Sequence, residues 1–180
     1  YHQFDATAAI SRAHENRYAR DLLADELQQS SDDLTRLART YVATGDANYE
    51  KQYFEILDIR DGKKPRPEAY HRIYWDFVAA DPARKPRADA GSRPLLTMMR
   101  DAGFTDREFA KLEEAKKNSD GLVKTEVIAM NAVKGLYDDG KGNFTVKKEP
   151  DQAAAIKMMN SAEYHKFKAE IMRPIDEFYV

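Results

Sequence analysis

Few residues in this sequence have the types and spacing that enzyme chemistry requires. The only metal-like spacing is Glu68-x-x-His71, and a di-iron carboxylate bundle would need a second such pair and two further glutamates. The four histidines are scattered, and the lack of cysteine excludes thiolate nucleophiles, iron–sulfur clusters and covalently attached haem. Neither a glycine-rich phosphate loop nor a G-x-S-x-G motif is present. We therefore predict that the protein is not an enzyme and has no catalytic residues, no metal and no cofactor.

A polar position interrupts each of two otherwise apolar helix faces. Alternating steps of three and four place Ser30 within the buried face of a long first helix, and they place Ser119, next to Asn118, within the buried face of a later helix. If these two helices are antiparallel and turn back at comparable heights, the two polar patches meet. Such a layer either fixes the helix register through hydrogen bonds or contacts a ligand or water in a pocket between facing helices.

A second candidate site combines aromatic side chains with arginines in a region of short helices. An arginine that faces an apolar pocket suits a carboxylate ligand, because its planar fork donates two parallel hydrogen bonds. Aromatic residues at helical spacing are equally compatible with an ordinary core. The residues of this set are Tyr53, Arg60, Arg66, Tyr70, Tyr74 and Trp75.

Two more arginines, Arg36 and Arg39, lie beside the buried face of the first helix. They fall at levels where Glu113 and Glu114 could pair with them at the surface, and this pairing is the favoured interpretation. Both arginines nevertheless remain among the candidate ligand contacts.

The elements that must position these residues are helices. From about residue 3 to 44 the chain has neither proline nor glycine, and Gly45 then supplies a stop, which gives one helix about 60 Å long. The T-x-x-E pattern that begins at Thr105 is a capping box and starts a second long helix. A turn-rich segment follows at 137–150. The predicted helices span about 3–44, 47–60, 67–80, 94–102, 106–136 and 151–180, the last with a break near Ser161 and a kink at Pro174.

The composition agrees with a single soluble helical domain over residues 1–180. The chain is 42% hydrophobic and 33% charged, enough to bury one core, and we expect an all-α, elongated antiparallel bundle that resembles a four-helix bundle or consists of two stacked bundles. Its net charge of -2, with both signs interspersed, predicts no nucleic-acid partner. No apolar run approaches the roughly 20 residues that span a bilayer, so we expect any membrane helices to flank this sequence.

Four runs carry a resemblance to a known family. SSDDLTRLARTYVATGDANYEKQYFEILDIRDGKKPRP, YWDFV, GFTDREFAKLEEAKKNSDGLVKTEVIAMNAVKGL and KAEIMRPIDEF resemble the helical extracytoplasmic sensor region of bacterial transmembrane chemoreceptors, the methyl-accepting chemotaxis proteins. The resemblance covers nearly the whole chain. It implies a periplasmic domain of an inner-membrane protein, with a transmembrane helix on each side and a signalling module after the second.

The sequence therefore predicts a sensor of a small molecule, such as an organic acid or an amino acid, that signals through a ligand-driven shift of its long helices. The same input module is compatible with a sensor kinase or a cyclase. A protein-docking bundle without a small ligand is the alternative from another class. The candidate ligand contacts are Ser30, Arg36, Arg39, Tyr53, Arg60, Tyr74, Trp75, Asn118 and Ser119.

The first helix also predicts self-association. Phe4, Ala8, Tyr18 and Leu22 lie on a flank beside its buried face, which is more apolar surface than one antiparallel partner needs. Receptors of the family that the chain resembles are parallel homodimers. We expect a homodimer through this helix that is weak in the isolated domain, because membrane tethering no longer raises the effective concentration.

Overall fold

The computed structural model describes residues 2–180, with side chains from residue 6 onward, and the regular secondary structure of this part of the chain is almost entirely helical. The predicted all-α fold is confirmed. The helices are α1 (His2–Thr44), α2 (Ala47–Arg60), α3 (Trp75–Ala80), α4 (Leu95–Asp101), α5 (Asp106–Val133), α6 (Gln152–Met159) and α7 (Ala162–Phe178). Two short strands, β1 (Leu136–Tyr137) and β2 (Val146–Lys147), pair antiparallel within the turn-rich segment.

The helices form four legs around one continuous hydrophobic core. Helix α1 is the first leg, α2 to α4 return along it, α5 runs parallel to α1, and α6 and α7 return again. Arg20 of α1 donates to the carbonyl of Gly103 just before α5, and Tyr179 just after α7 donates to Asp25 of α1. The expectation that α1 and α5 are antiparallel is therefore wrong. Helices α2 to α4 bring the chain back to the height of Arg20 on α1 before α5 begins, so α5 runs in the same direction as α1.

Capping residues set most helix boundaries where the sequence predicts them. The Thr105 hydroxyl accepts from the backbone N–H of Glu108, and the Glu108 carboxylate accepts from the backbone N–H of Thr105, so the capping box is present. Ser161 accepts from the backbone N–H of Tyr164 and begins α7, so the predicted break is confirmed. Gly45 has a φ of 69° and follows the last residue of α1, as a left-handed helix stop requires.

The predicted helix 67–80 begins only at Trp75, and this prediction is wrong for its first half. Ala69 has a φ of 50°, which ends any helical run there. The backbone N–H of Glu68 donates instead to Ala88, and Pro67 forms an isolated bridge with Asp89. Residues 67–74 thus form a turn-rich segment that is tied to the loop 81–94.

One later boundary also differs in detail. Helix α5 ends at Val133 and not near residue 136, because Gly135 has a φ of 73° and the chain then enters β1. Helix α7 continues through Pro174, which is buried in the bundle.

Candidate functional site

Ser30 and Ser119 lie at the same level of the bundle, and Arg60 joins them. The Arg60 Nη1 atom donates to Ser119 Oγ at 2.8 Å and to Ser30 Oγ at 3.3 Å, while Nη2 pairs with Asp120 Oδ1 at 3.0 Å. The Arg60 side chain is only 1% exposed, and its Nε atom has no hydrogen-bond partner among the described residues. The predicted meeting of the two polar patches is confirmed, and α2 supplies the cation between them.

A second buried layer is centred on Glu126 of α5. Its carboxylate accepts from Tyr53 at 2.8 Å and from Tyr164 at 2.6 Å, which joins α2, α5 and α7. Burial raises the pKa of Glu126 above its ordinary value, whereas the two tyrosine hydrogen bonds lower it. Sequence reasoning missed this residue, although a further step of four from Leu122 along the predicted face reaches it.

The second layer continues to the surface between α1 and α7. The Tyr164 hydroxyl lies 2.7 Å from the Thr35 hydroxyl, and Lys168 donates to Thr35 and Ser31 at 2.9 and 3.0 Å. Lys168 also pairs with the half-exposed Asp32 at 3.1 Å. Burial lowers the pKa of Lys168, and the Asp32 carboxylate partly restores it. The polar network therefore links all four legs of the bundle to an accessible surface.

A cleft of about 310 Å³ lies between α1 and residues 70–76. Ser30 and Asp33 line its α1 side, and Tyr70, Tyr74 and Trp75 line the opposite side. A cleft of this volume is within the range of small-molecule sites. Ser30 therefore belongs both to the lining of the cleft and to the hydrogen-bonded Arg60 layer in the bundle core.

A buried ion pair holds the turn-rich segment against α1 beside this cleft. Arg66 donates through Nε and Nη2 to the two carboxylate oxygens of Glu26, at 2.7 and 2.6 Å. Both side chains are close to nine-tenths buried. The bidentate geometry fixes the position of the segment that carries Tyr70 and Tyr74.

An open groove between α1 and α7 carries most of the remaining cationic candidates. Arg36, Arg39 and Lys168 line it, and its volume is about 410 Å³. The Arg39 guanidinium lies 5.0 Å from the centre of the Tyr164 ring and donates through Nε to the Met159 carbonyl at 2.9 Å.

The predicted pairing of these arginines with Glu113 and Glu114 is wrong. Arg36 contacts Asp33 on its own helix at 3.4 Å, and Glu114 pairs with Arg173 of α7. The parallel course of α1 and α5 explains the difference, because it brings Ser119, and not the start of α5, to the middle of α1.

The nine predicted site residues thus lie in four places. Ser30, Tyr74 and Trp75 line the cleft, and Arg36 and Arg39 line the open groove. Tyr53, Arg60 and Ser119 are buried in the core. Asn118 faces α7, where its side-chain amide donates to the Glu170 carbonyl at 3.0 Å.

No protein-family model matches the chain, and no curated protein or solved structure matches it either. Across residues 2–180, none of the helices combines the length and the apolar character needed to cross a bilayer. The same part of the chain contains no group of three acidic or histidine side chains placed to hold a metal ion.

Proposed function

We propose that this chain is the ligand-binding, periplasmic domain of a bacterial transmembrane chemoreceptor, and that it binds a small molecule without converting it. The observation that carries the proposal is the double role of Ser30, which lines the cleft and also accepts a hydrogen bond from the buried Arg60. Any ligand in the cleft is therefore one residue away from a polar layer that joins α1, α2 and α5. The resemblance of the sequence to chemoreceptor sensor regions supports the same assignment.

The proposed signal is a small displacement of α1 against the other legs. A ligand that bridges Asp33 of α1 and Tyr74 of the facing segment changes the relative free energy of two packing arrangements. Packed helices accommodate shifts of about 1–2 Å, and such shifts are transmitted along a rigid helix. Because α1 begins at the side of the bundle where α7 ends, both can pass the displacement to helices that flank the chain.

Self-association through α1 is part of the proposal. Residues 6–19 are exposed along their whole length, and Tyr18, on the flank that the sequence assigns to self-association, is 62% exposed. The side chain of Phe4, which the sequence assigns to the same flank, lies outside the described residues. A parallel homodimer would bury this apolar surface and leave the cleft accessible.

Thermal denaturation with a broad metabolite panel tests the proposal. A metabolite present at 100 times its Kd should raise the free energy of unfolding by about 2.7 kcal/mol. If no member of the panel shifts the melting temperature while a periplasmic protein is recovered with the immobilised domain, the chain is a docking bundle and the proposal fails. A sensor kinase or cyclase with the same input domain would retain the binding result and differ only in output.

A further inference from the structure

The cleft between α1 and residues 70–76 is predominantly acidic. Helix α1 contributes Asp25, Glu26 and Asp33 to its lining, and α3 contributes Asp76. These four carboxylates face one arginine, Arg72, and one histidine among the lining residues. An organic anion, the ligand suggested by the arginines in the sequence, would meet net repulsion here.

The carboxylates differ in how well they are compensated. Glu26 is neutralised by the bidentate contact with Arg66. Asp33, with a side chain only 9% exposed, accepts from the neutral Gln29 amide at 3.2 Å, and its cationic contact, Arg36, lies at 3.4 Å, which is long for a hydrogen bond. Burial raises the pKa of Asp33, Arg36 lowers it, and the Asp76 carboxylate raises it again. A cation between Asp33 and Asp76 would relieve both the burial cost and the repulsion.

The opposite wall of the cleft is aromatic and fixed in position. The Tyr74 ring centre lies 4.8 Å from that of Trp75 and 6.0 Å from that of Tyr70, both in edge-to-face geometry. Trp75 donates through Nε1 to the Tyr70 hydroxyl at 2.8 Å, so the Tyr70 proton is left for another acceptor. The Arg87 guanidinium, which donates to the Glu68 and Ile73 carbonyls, lies 5.5 Å from the Tyr74 ring centre, within cation–π distance.

We propose that the cleft binds a small organic ammonium ion, whose charged nitrogen lies near Asp33 and Asp76 and whose hydrocarbon part packs against Tyr74 and Trp75. This inference rests on the proposed sensing function and names its ligand class as an organic amine. Aromatic faces together with carboxylates are the combination that stabilises a desolvated ammonium group. A volume of about 310 Å³ is at the lower end of the range for small-molecule sites, which suits a small amine.

Isothermal titration calorimetry on the whole chain tests the ligand class. The probes are putrescine, choline and phenethylamine, with succinate as the anionic counterpart. At least one amine should bind, and its Kd should rise at least tenfold in Asp33→Asn and several-fold in Asp76→Asn. Asp32→Asn is the matched control, because Asp32 is adjacent in sequence but pairs with Lys168 in the open groove. This control should keep the wild-type Kd.

Each possible result has a defined meaning. If no amine binds, or if an amine binds Asp33→Asn and Asp76→Asn as tightly as the wild type, the inference is overturned. If succinate binds instead and Arg39→Ala abolishes that binding, the sensing function stands and the site is the open groove. Failure of every small molecule in the thermal panel would contradict the sensing function itself. Asp76 is exposed, so Asp76→Asn keeps the test decisive even if Asp33→Asn does not fold.

Discussion

Asn118 donates its side-chain amide to the Glu170 carbonyl, at 3.0 Å, across the interface of α5 and α7. Glu170 lies four residues before Pro174, which has no N–H to donate to that carbonyl within the helix. Asn118 therefore supplies the hydrogen bond that the proline removes. This contact explains why a polar residue next to the buried Ser119 is needed without any ligand.

The relationship predicts energetic coupling between Asn118 and Pro174. Asn118→Ala alone should lower the free energy of unfolding by about 1 kcal/mol, because the Glu170 carbonyl loses its partner. In a Pro174→Ala background the helix provides its own N–H, so the same substitution should cost much less. Chemical denaturation of the two single variants and the double variant gives the coupling energy. Equal costs in both backgrounds would contradict the relationship.

The Arg60 layer predicts that its two serines are needed to satisfy a buried cation. From sequence alone, a pair of facing hydroxyls should be replaceable by alanine at little cost. With Arg60 between them, the Ser30→Ala and Ser119→Ala double variant should lose about 2–3 kcal/mol, because the buried guanidinium keeps only Asp120.

Adding Arg60→Met to the double variant provides the control for this explanation. A methionine removes the charge that lost its acceptors, so the triple variant should regain part of the lost stability in urea denaturation. If the triple variant is less stable than the double variant, loss of packing and not the unsatisfied cation explains the cost.

Glu126 predicts a specific pH dependence of stability. Its folded-state pKa is raised by burial above the ordinary value of 4.5, so the folded protein binds the proton more tightly than the unfolded chain. The contribution to stability is therefore full below pH 4.5 and is lost as the pH rises through the folded-state pKa. Relative to Glu126→Gln, the wild type should become less stable as the pH is raised across this window.

Urea denaturation at a series of pH values from 4 to 8 measures the difference between wild type and Glu126→Gln. The matched control is Glu113→Gln, an exposed position on the same helix, which leaves the buried carboxyl in place. A constant difference between wild type and Glu126→Gln at every pH would show that the burial of Glu126 is not coupled to its protonation.

The exposed flank of α1 predicts weak self-association of the isolated domain. Sedimentation velocity over a concentration series should detect a monomer–dimer equilibrium that Tyr18→Glu abolishes. Ile128→Glu is the control, because Ile128 is an exposed apolar residue (42%) on α5, away from this flank. A strictly monomeric wild type at millimolar concentration, with and without ligand, would rule out the proposed dimer.

The sequence predicts elements with strong local signals far better than contacts made by long side chains. The bounds of α1 and α2, the capping box at Thr105 and the break at Ser161 depend on residues within a few positions of each other, and all are present. The sequence also predicts correctly that Ser30 and Ser119 meet at one height of the bundle. The prediction assumes that α1 and α5 are antiparallel, whereas they are parallel. A periodic pattern reports which face of a helix is buried but not which way its neighbour runs.

The parts that could not be predicted depend on tertiary contacts. Arg60 reaches the serine layer only because α2 is antiparallel to both α1 and α5. Residues 67–74 carry a helix-like aromatic pattern, yet Ala69 is left-handed and the backbone there pairs with the loop 88–91. The acidic character of the cleft arises when that segment folds onto α1, which no local pattern indicates.

A hybrid receptor tests the central claim most directly. The chain replaces the sensor domain of a chemoreceptor whose kinase output is known, and kinase activity is measured while the compound that stabilises the isolated domain is added. We predict a saturable change in kinase activity with a midpoint near the Kd measured by calorimetry, and loss of this response in Asp33→Asn but not in Asp32→Asn. A correctly inserted hybrid that binds the compound with unchanged kinase activity would contradict the claim that this domain is a chemoreceptor sensor.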